Sequence, residues 1–402
     1  MGILDFLTGQ FSDGGILNQI IGFIIFLVFI SLYTKIMLQQ TMLKLEQSAI
    51  ELERMSIKAE NEVIRKINKK GDKKVRNSVR KFLEFFAIPP VNLDPFGIIK
   101  KYDHIQTLEK ERFNHFVSQI APEATSEERA NIVMGLSGAI QLHEISKVVR
   151  HFVELIKKSK SINLAFIIQM QLPFIERMAK ALVKGTEALS NGWPIGDSAG
   201  PYVAATLIGN AKAIEADDET VVARKNYKNR ELIIIKAKGP GGRTGNPGKV
   251  LEKIAKKEKI AKIITIDAAA KLEGEKTGSV AEGVGVAMGG IGVERYEIEE
   301  IAVRNKLPLD SIVIKMSPEE AIMPTHKAIL DAVPEAINLV YESIERTKGK
   351  GKIVVIGVGN TSGVGNDGKS AEAAAEIIKL NAKKAEEEEK KSKKQFKIPF
   401  FE

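Results

Sequence analysis

The hydrophobic pattern begins as a solid block. From Ile16 to Thr34, nineteen residues carry no charge. At ~1.5 Å of helical rise per residue, that block matches the thickness of a bilayer's hydrocarbon core. It predicts one transmembrane helix within residues 1–35. A cleaved signal peptide would need a basic residue before the block, a shorter apolar run and a small-residue cleavage site after it. The chain has none of these. Past the block the pattern becomes a rhythm. Leu38, Met42, Leu45, Ala49, Leu52, Ala59 and Val63 recur at alternating spacings of four and three, with Ser56 as the polar interruption. This heptad seam predicts a juxtamembrane helix within residues 36–90. The helix either pairs with a second copy as a parallel coiled coil, giving a homo-oligomer, or docks on the chain's own body.

The next stretch is basic from Lys66 to Lys81, broken at Gly71, and runs into Phe82-Leu-Glu-Phe-Phe86 and then Pro89-Pro90. Bases beside clustered Phe fit a membrane-surface segment or, equally, a helix end packed on the next domain. Residues 91–190 read as a helical domain. Thr125 lies three residues before Glu128, as in a capping box, and Ile162 to Leu189 reads as a long helix kinked or broken at Pro173. Residues 191–370 change character. Glycine becomes frequent, and short β-branched runs (Val221–Ala223, 232–235, 263–266, 311–314, 353–356) alternate with helical ones. Near-continuous apolar strands between helices predict a mostly parallel α/β sandwich. Residues 371–402 read as a helix to Leu380, then a solvated charge run, then an apolar Phe396-Lys-Ile-Pro-Phe-Phe401 end suited to docking on a membrane or partner.

Charge then adds direction. Only Asp5 and Asp13 are charged before the block, while Lys35, Lys44, Arg54 and Lys58 follow it. Lys and Arg resist translocation, so a single-pass protein of the cell membrane with its body in the cytoplasm is expected. The Met1-Gly2 start is no myristoylation signal, because Phe6 stands where Ser or Thr is required. The net charge of +9 suits anionic lipid as well as nucleic acid. With the anchor present, membrane is the expected partner and nucleic acid is not. The chain has no Cys, which excludes disulfides, thiol catalysis and Cys-based zinc sites. Its Lys-, Glu- and Ile-rich composition is common in thermophiles. His143 and His151 lack the i+4 acidic or His partner of a helical metal site. No motif fixes a cofactor.

Three Gly-rich strings carry the candidate chemistry. Gly363-Val-Gly-Asn-Asp-Gly-Lys-Ser370 fits the phosphate-loop pattern, but six residues separate it from its strand and no strand follows. Gly357-Val-Gly359 imitates a dinucleotide turn and fails for the same want of a later strand. Gly196-Asp-Ser-Ala-Gly-Pro201 imitates the nucleophile string of chymotrypsin-like proteases, yet it sits in an α/β pattern rather than an all-β one. A further reading absorbs more of the chain. Asp197-Ser-Ala-Gly200-Pro201 opens a helix, and some seventy residues later a strand reaches Ile266-Asp267-Ala268. Gly239-Pro-Gly-Gly242 lies between them, and a hairpin-like run, Gly278 to Gly290, follows.

That order resembles the spore germination protease and, more loosely, the hydrogenase maturation peptidases, over roughly residues 196–322. The resemblance implies a phosphorylase/hydrolase-like fold and assigns the paired acids to Asp197 and Asp267. In the germination protease such acids are the functional pair; in the maturation peptidases they help read a bound metal, so a metal here stays open. Those families place a strand ending in Gly-x-Gly-Asn directly before the Asp-x-x-Gly turn. Here Gly357-Val-Gly-Asn360 ends the last strand instead, which suggests a circular permutation bringing Gly359 and Asn360 beside Asp197. Gly200 and Glu282 complete the supporting pocket. The whole chain is also similar to an archaeal family of membrane-anchored proteins without an assigned activity. Two functions compete. One is a cytoplasm-facing two-acid hydrolase acting on a protein or peptide. The other is an oligomeric membrane scaffold that binds a partner without chemistry.

Overall fold

A computed structural model describes residues 16–68, 71–90, 97–287 and 292–395. Asp5, Asp13, the Met1-Gly2 start, residues 288–290 of the Gly-rich run and the apolar 396–401 end lie outside them. The chain divides into two compact units, residues 1–53 with 145–176 and residues 54–144 with 177–402.

In the first unit, helix α1 (Ile16–Ile67) runs without a break from the apolar block into the heptad seam. Its side chains from Phe23 to Tyr33 stand exposed. Among the described residues it is the one helix long and apolar enough to cross a membrane, with a mean hydropathy of 2.3 over its best window. The seam behaves differently. Leu45, Ala49 and Leu52 are fully buried by the chain's own helical hairpin, α4 (Ser126–Ser159) and α5 (Ile162–Asn191). Arg150 of α4 donates to Glu53 at 2.7 Å, Lys157 pairs with Glu46 at 2.8 Å, and Ser48 donates to Glu176 of α5 at 2.7 Å. In the second unit the same seam continues as buried Ala59 and Val63, with Ser56 meeting His143 at 3.4 Å. The heptad therefore records docking within one chain. From Leu45 to Val63 the seam is covered within this chain, while Leu38 and Met42 at its start stay half-buried. Helix α5 also passes through Pro173 without breaking.

The second unit adds α2 (Lys73–Phe82) and α3 (Ile98–Ile120). Phe82 stacks on Phe116 with ring centroids 3.9 Å apart, and both Phe82 and Phe85 meet Phe113 edge-on. Two of the clustered Phe rings thus pack on the next helix and are not a free membrane-surface face. The predicted capping box forms at the start of α4, where Thr125 N donates to Glu128 at 2.9 Å and Glu128 N to Thr125 at 3.3 Å.

A seven-stranded sheet follows, in the order β1-β2-β3-β7-β4-β6-β5. Its strands are β1 (Ala213–Glu215), β2 (Thr220–Tyr227), β3 (Arg230–Ala237), β4 (Ile260–Ala270), β5 (Val280–Val284), β6 (Leu309–Met316) and β7 (Lys352–Gly357). β3, β7, β4 and β6 run parallel, and the flanking β2 and β5 run antiparallel to their neighbours. Alternate residues of the central strands feed two cores. Leu232, Ile234, Val355 and Ile312 face α6 (Ala199–Ile208) and α11 (Val333–Glu345). Ile233, Ile235, Val354 and Ile263 face α7 (Pro247–Ala255) and α8 (Val293–Arg304). This two-sided burial explains the unbroken apolar strands. The short helices α9 (Pro318–Ile322) and α10 (Lys327–Asp331) precede α11. Helix α12 (Gly368–Gln395) runs on past Leu380 through the charge run, whose residues 383–388 are solvent-exposed.

Candidate functional site

The last strand in sequence occupies the middle of the sheet. β7 lies between β3 and β4, so its exit, Val358 to Asn360, emerges beside the point where Asp267 stands. β4 pairs with β7 only as far as Ile266 opposite Gly357, and Val358 N closes the ladder on Ile266 O at 2.9 Å. Asp267 is therefore the first β4 residue without a β7 partner. It does not end its strand, since β4 continues to Ala270 along β6.

Asp197 reaches the same place from the other side. A 3₁₀ turn (Gly196–Ser198) delivers it to the start of α6. Glycine makes that approach possible. A Cβ on Gly200 would lie well under 3.0 Å from both Ile266 O and Val358 O, so α6 can rest on the ends of β4 and β7 only through a bare α-carbon. Gly359 adopts φ +124, where a side chain would also collide with the Asp197 carbonyl. The bend turns the Asn360 N–H onto Asp197 Oδ2 at 2.8 Å. Thus Asp197, Asp267, Gly200, Gly359 and Asn360 converge.

The two acids have different surroundings. Asp267 is only 3% exposed; its Oδ1 accepts from Ala268 N at 2.7 Å, and its Oδ2 is buried without a hydrogen-bond partner. Burial first, and the neighbouring Asp197 charge second, push its pKa well above the ordinary carboxylate value. Asp197 is half-buried; burial raises its pKa too, against the opposing Asn360 N–H. The deeper acid consequently keeps its proton to higher pH than the shallower one. Such a pair offers a base and an acid at one point.

The other expectations separate. Glu282 lies on the edge strand β5 and is ion-paired to Arg346, outside this pocket. Ser198 is buried among backbone groups, accepting from Ile195 N at 3.3 Å and donating to Ser362 O at 3.4 Å, which is a capping role rather than a nucleophile's. The phosphate-loop string has the wrong polarity. Its Gly365 carbonyl and Asn366 Oδ1 accept from the fully buried Lys236 ammonium at 2.9 and 3.0 Å, so the loop presents oxygens to a cation. Its Asp367 caps the following helix, accepting from Ser370 N at 2.8 Å, and the Ser370 hydroxyl donates back to Asp367 O at 2.8 Å.

Comparison with known families places the boundary next to this site. Residues 19–192 match the N-terminal domain of a protein of unknown function, DUF1512, and residues 195–365 match the DUF1512 C-terminal domain. The chain belongs to the DUF1512 family. No curated protein matches it. Both acids and all of β7 lie in the DUF1512 C-terminal domain, whose match begins two residues before Asp197.

The N-terminal domain nevertheless contributes to the site's wall. From α4, Asn131 Oδ1 accepts from Gly242 N at 2.9 Å, and Glu127 Oε2 accepts from Gly241 N at 2.5 Å and pairs with the buried Arg243 at 2.7 Å. Met134 S accepts from the Asn360 side chain at 3.4 Å. Thr361 donates to Gly241 O at 2.8 Å, so the 239–243 loop and the β7 exit form one braced rim. Sequence reasoning singled out the glycines of that loop but not Glu127, Asn131 or Arg243. Their partners lie more than a hundred residues away, and no spacing reveals them.

Proposed function

We infer that the α/β body is a hydrolase of the two-acid type acting on a protein or peptide, tethered to the cell membrane by α1 with the body in the cytoplasm. The observation that carries the chemistry is the Asp197 carboxylate held by the Asn360 N–H beside the orphaned, buried Asp267 oxygen. Asp197 is the acid that solvent can reach, so it takes the proton from the attacking water. The proton kept on Asp267 by burial recharges the pair, which then protonates the leaving amine.

The sheet favours the permuted form of the germination-protease arrangement. Counted with β7 first, the core strands β7, β3, β4, β5 and β6 stand in the order 2-1-3-5-4, with the fourth antiparallel. The strand ending in Gly-x-Gly-Asn then precedes the Asp-x-x-Gly turn in space, as the resemblance requires. The tether rests on α1 being long and apolar enough to span a bilayer.

The test is cleavage of unfolded protein and peptide pools by the full chain in detergent, comparing Asp197→Asn and Asp267→Asn. Both variants should keep the wild-type fold by circular dichroism and lose cleavage by at least ~100-fold, as expected on removal of a general acid or base. Undiminished cleavage in both variants sinks the reading. A wild-type protein that cleaves nothing but retains a bound protein through purification favours the partner-binding alternative.

A further inference from the structure

The seam covered by the chain's own hairpin is one of two that run along α1. Among the described residues of this helix past the apolar block, the exposed large hydrophobic side chains are Ile36 at 53%, Leu43 at 65%, Ile50 at 38% and Ile57 at 51%. Each lies seven residues after the one before. Exposed Gln40, Gln47 and Arg54 stand between them, so this face also runs at alternating spacings of four and three. A helix face in water normally carries charge throughout. Apolar positions kept at a strict interval of seven are the mark of a helix that supercoils with a helical partner.

Height along the helix selects the occupant. At ~1.5 Å per residue, Leu43 stands about 14 Å beyond Thr34 and Ile50 about 24 Å. The headgroup layer ends roughly 5–8 Å beyond the hydrocarbon core, so lipid does not cover these side chains. A second copy of the chain does. α1 enters the membrane in the same direction in every copy, so two copies stand parallel with like residues at like heights. A two-fold axis along the membrane normal then brings each repeated residue against its equal. Gln40 and Gln47 fill the alternate positions, where an amide carries both donors and an acceptor and can bond its own copy. Polar residues at such positions fix register at a cost in stability. Confinement of both copies to one membrane raises their effective concentration and offsets that cost. Arg54 at the following position would set like charges face to face, which ends the close pairing near Ile50. Toward the membrane the repeat continues through Phe29 to Gly22. A Cβ on Gly22 would meet nothing within 4 Å in the single chain, and small residues let helices approach closely in lipid.

We propose that two copies of the chain pair in parallel along Gly22–Ile50 of α1, with Phe29, Ile36, Leu43 and Ile50 as the repeated apolar contacts. The inference rests on the tether proposed above. One seam of α1 builds the chain's own helical hairpin onto it, and the other joins two chains.

The Cys-free chain permits single-site cross-linking of the full-length protein in isolated membranes. Leu43→Cys, Ile50→Cys and Val148→Cys all replace exposed side chains, the last on α4. Core positions of a parallel coiled coil bring like residues within disulfide reach. Mild oxidation should therefore give a covalent dimer with Leu43→Cys and with Ile50→Cys, and none with Val148→Cys. Adding Leu43→Glu to the Ile50→Cys chain should abolish its dimer and leave the circular dichroism spectrum unchanged, because Leu43 is unpacked within one chain. No dimer at either seam position, in a chain that stays with the membrane through an alkaline wash, overturns the pairing and leaves the tether standing. Equal dimer at all three positions shows random collision and overturns the pairing too. So does an Ile50→Cys dimer that survives Leu43→Glu, or a cross-link to a protein of another mass. A chain washed into the soluble fraction overturns the tether and the pairing with it.

Discussion

Replacing Asp267 by Asn tests the acid pair without requiring a substrate. Asp267 is 3% exposed, its Oδ2 has no partner, and its folded pKa is raised by burial and by Asp197. Below an unfolded pKa of ~3.9, both states hold the proton and the residue is neutral for stability. As pH rises, the unfolded chain releases its proton while the folded chain keeps it. Stability then falls by about 1.4 kcal/mol per pH unit until the folded pKa is passed. Asn has the shape of the protonated acid, can still accept from Ala268 N, and does not titrate. Wild type and Asp267→Asn should therefore have similar melting temperatures near pH 4 and diverge above it, with the variant the more stable. For a unit of about 300 residues, with an unfolding entropy of ~2.1 cal/mol/K per residue, the gap should widen by about 2 °C per pH unit. The assay is thermal unfolding of the full chain in detergent across pH 4–8, followed by circular dichroism. Asp197→Asn removes the neighbouring charge and so lowers the folded pKa of Asp267; the Asp267 contribution should keep its slope but level off at a lower pH. Parallel wild-type and Asp267→Asn curves would show that Asp267 ionises normally, and the shared-proton argument would fail.

Two further outcomes follow from the geometry. Gly200→Ala places a methyl group against Ile266 O and Val358 O, so α6 must lift off the strand ends. The expected loss is about 1–3 kcal/mol, or roughly 1.5–4.5 °C in melting temperature for a unit of about 300 residues, and the fall in stability with pH should level off earlier as Asp197 moves away; an unchanged melting temperature contradicts the close packing. For orientation, Glu372→Cys on the exposed side of α12 should resist a membrane-impermeant maleimide in intact cells and react after permeabilisation. Labelling in intact cells would place the body outside.

Much of the α/β fold was legible because buried parallel strands leave an unmistakable apolar trace, as at Ile263 to Ile266 and Ile353 to Ile356. β1, with three residues, and β5, whose Val280–Val284 includes Gly283 and stands at the edge, leave almost none. The heptad was read correctly as a buried seam but not as to what buries it, because period alone does not distinguish a second copy from the chain's own hairpin. The charge run was underestimated as helix. Blocks of Glu followed by Lys at the right offset support helical pairs as readily as they solvate a coil. Within the site, Asp197, Gly200, Asp267 and Asn360 were readable from local strings, since each needs a particular turn or strand end. Glu282 was not separable from them, because nothing in its string reveals that Arg346 claims it.

The central place of β7 also bears on how the protein is made. The apolar block of α1 leaves the ribosome before any strand of the sheet. β3 and β4 emerge next but have no contact with each other in the finished sheet, since β7 separates them. Until residue 360 is synthesised, the sheet remains as two pieces with open inner edges, and Asp197 lacks the amide that holds it. Long-range strand pairing of this kind is slow and exposes hydrophobic edges while it waits. The meeting of Asp197, Asp267 and Asn360 is therefore a late event of folding, since it cannot form before β7 has entered between β3 and β4.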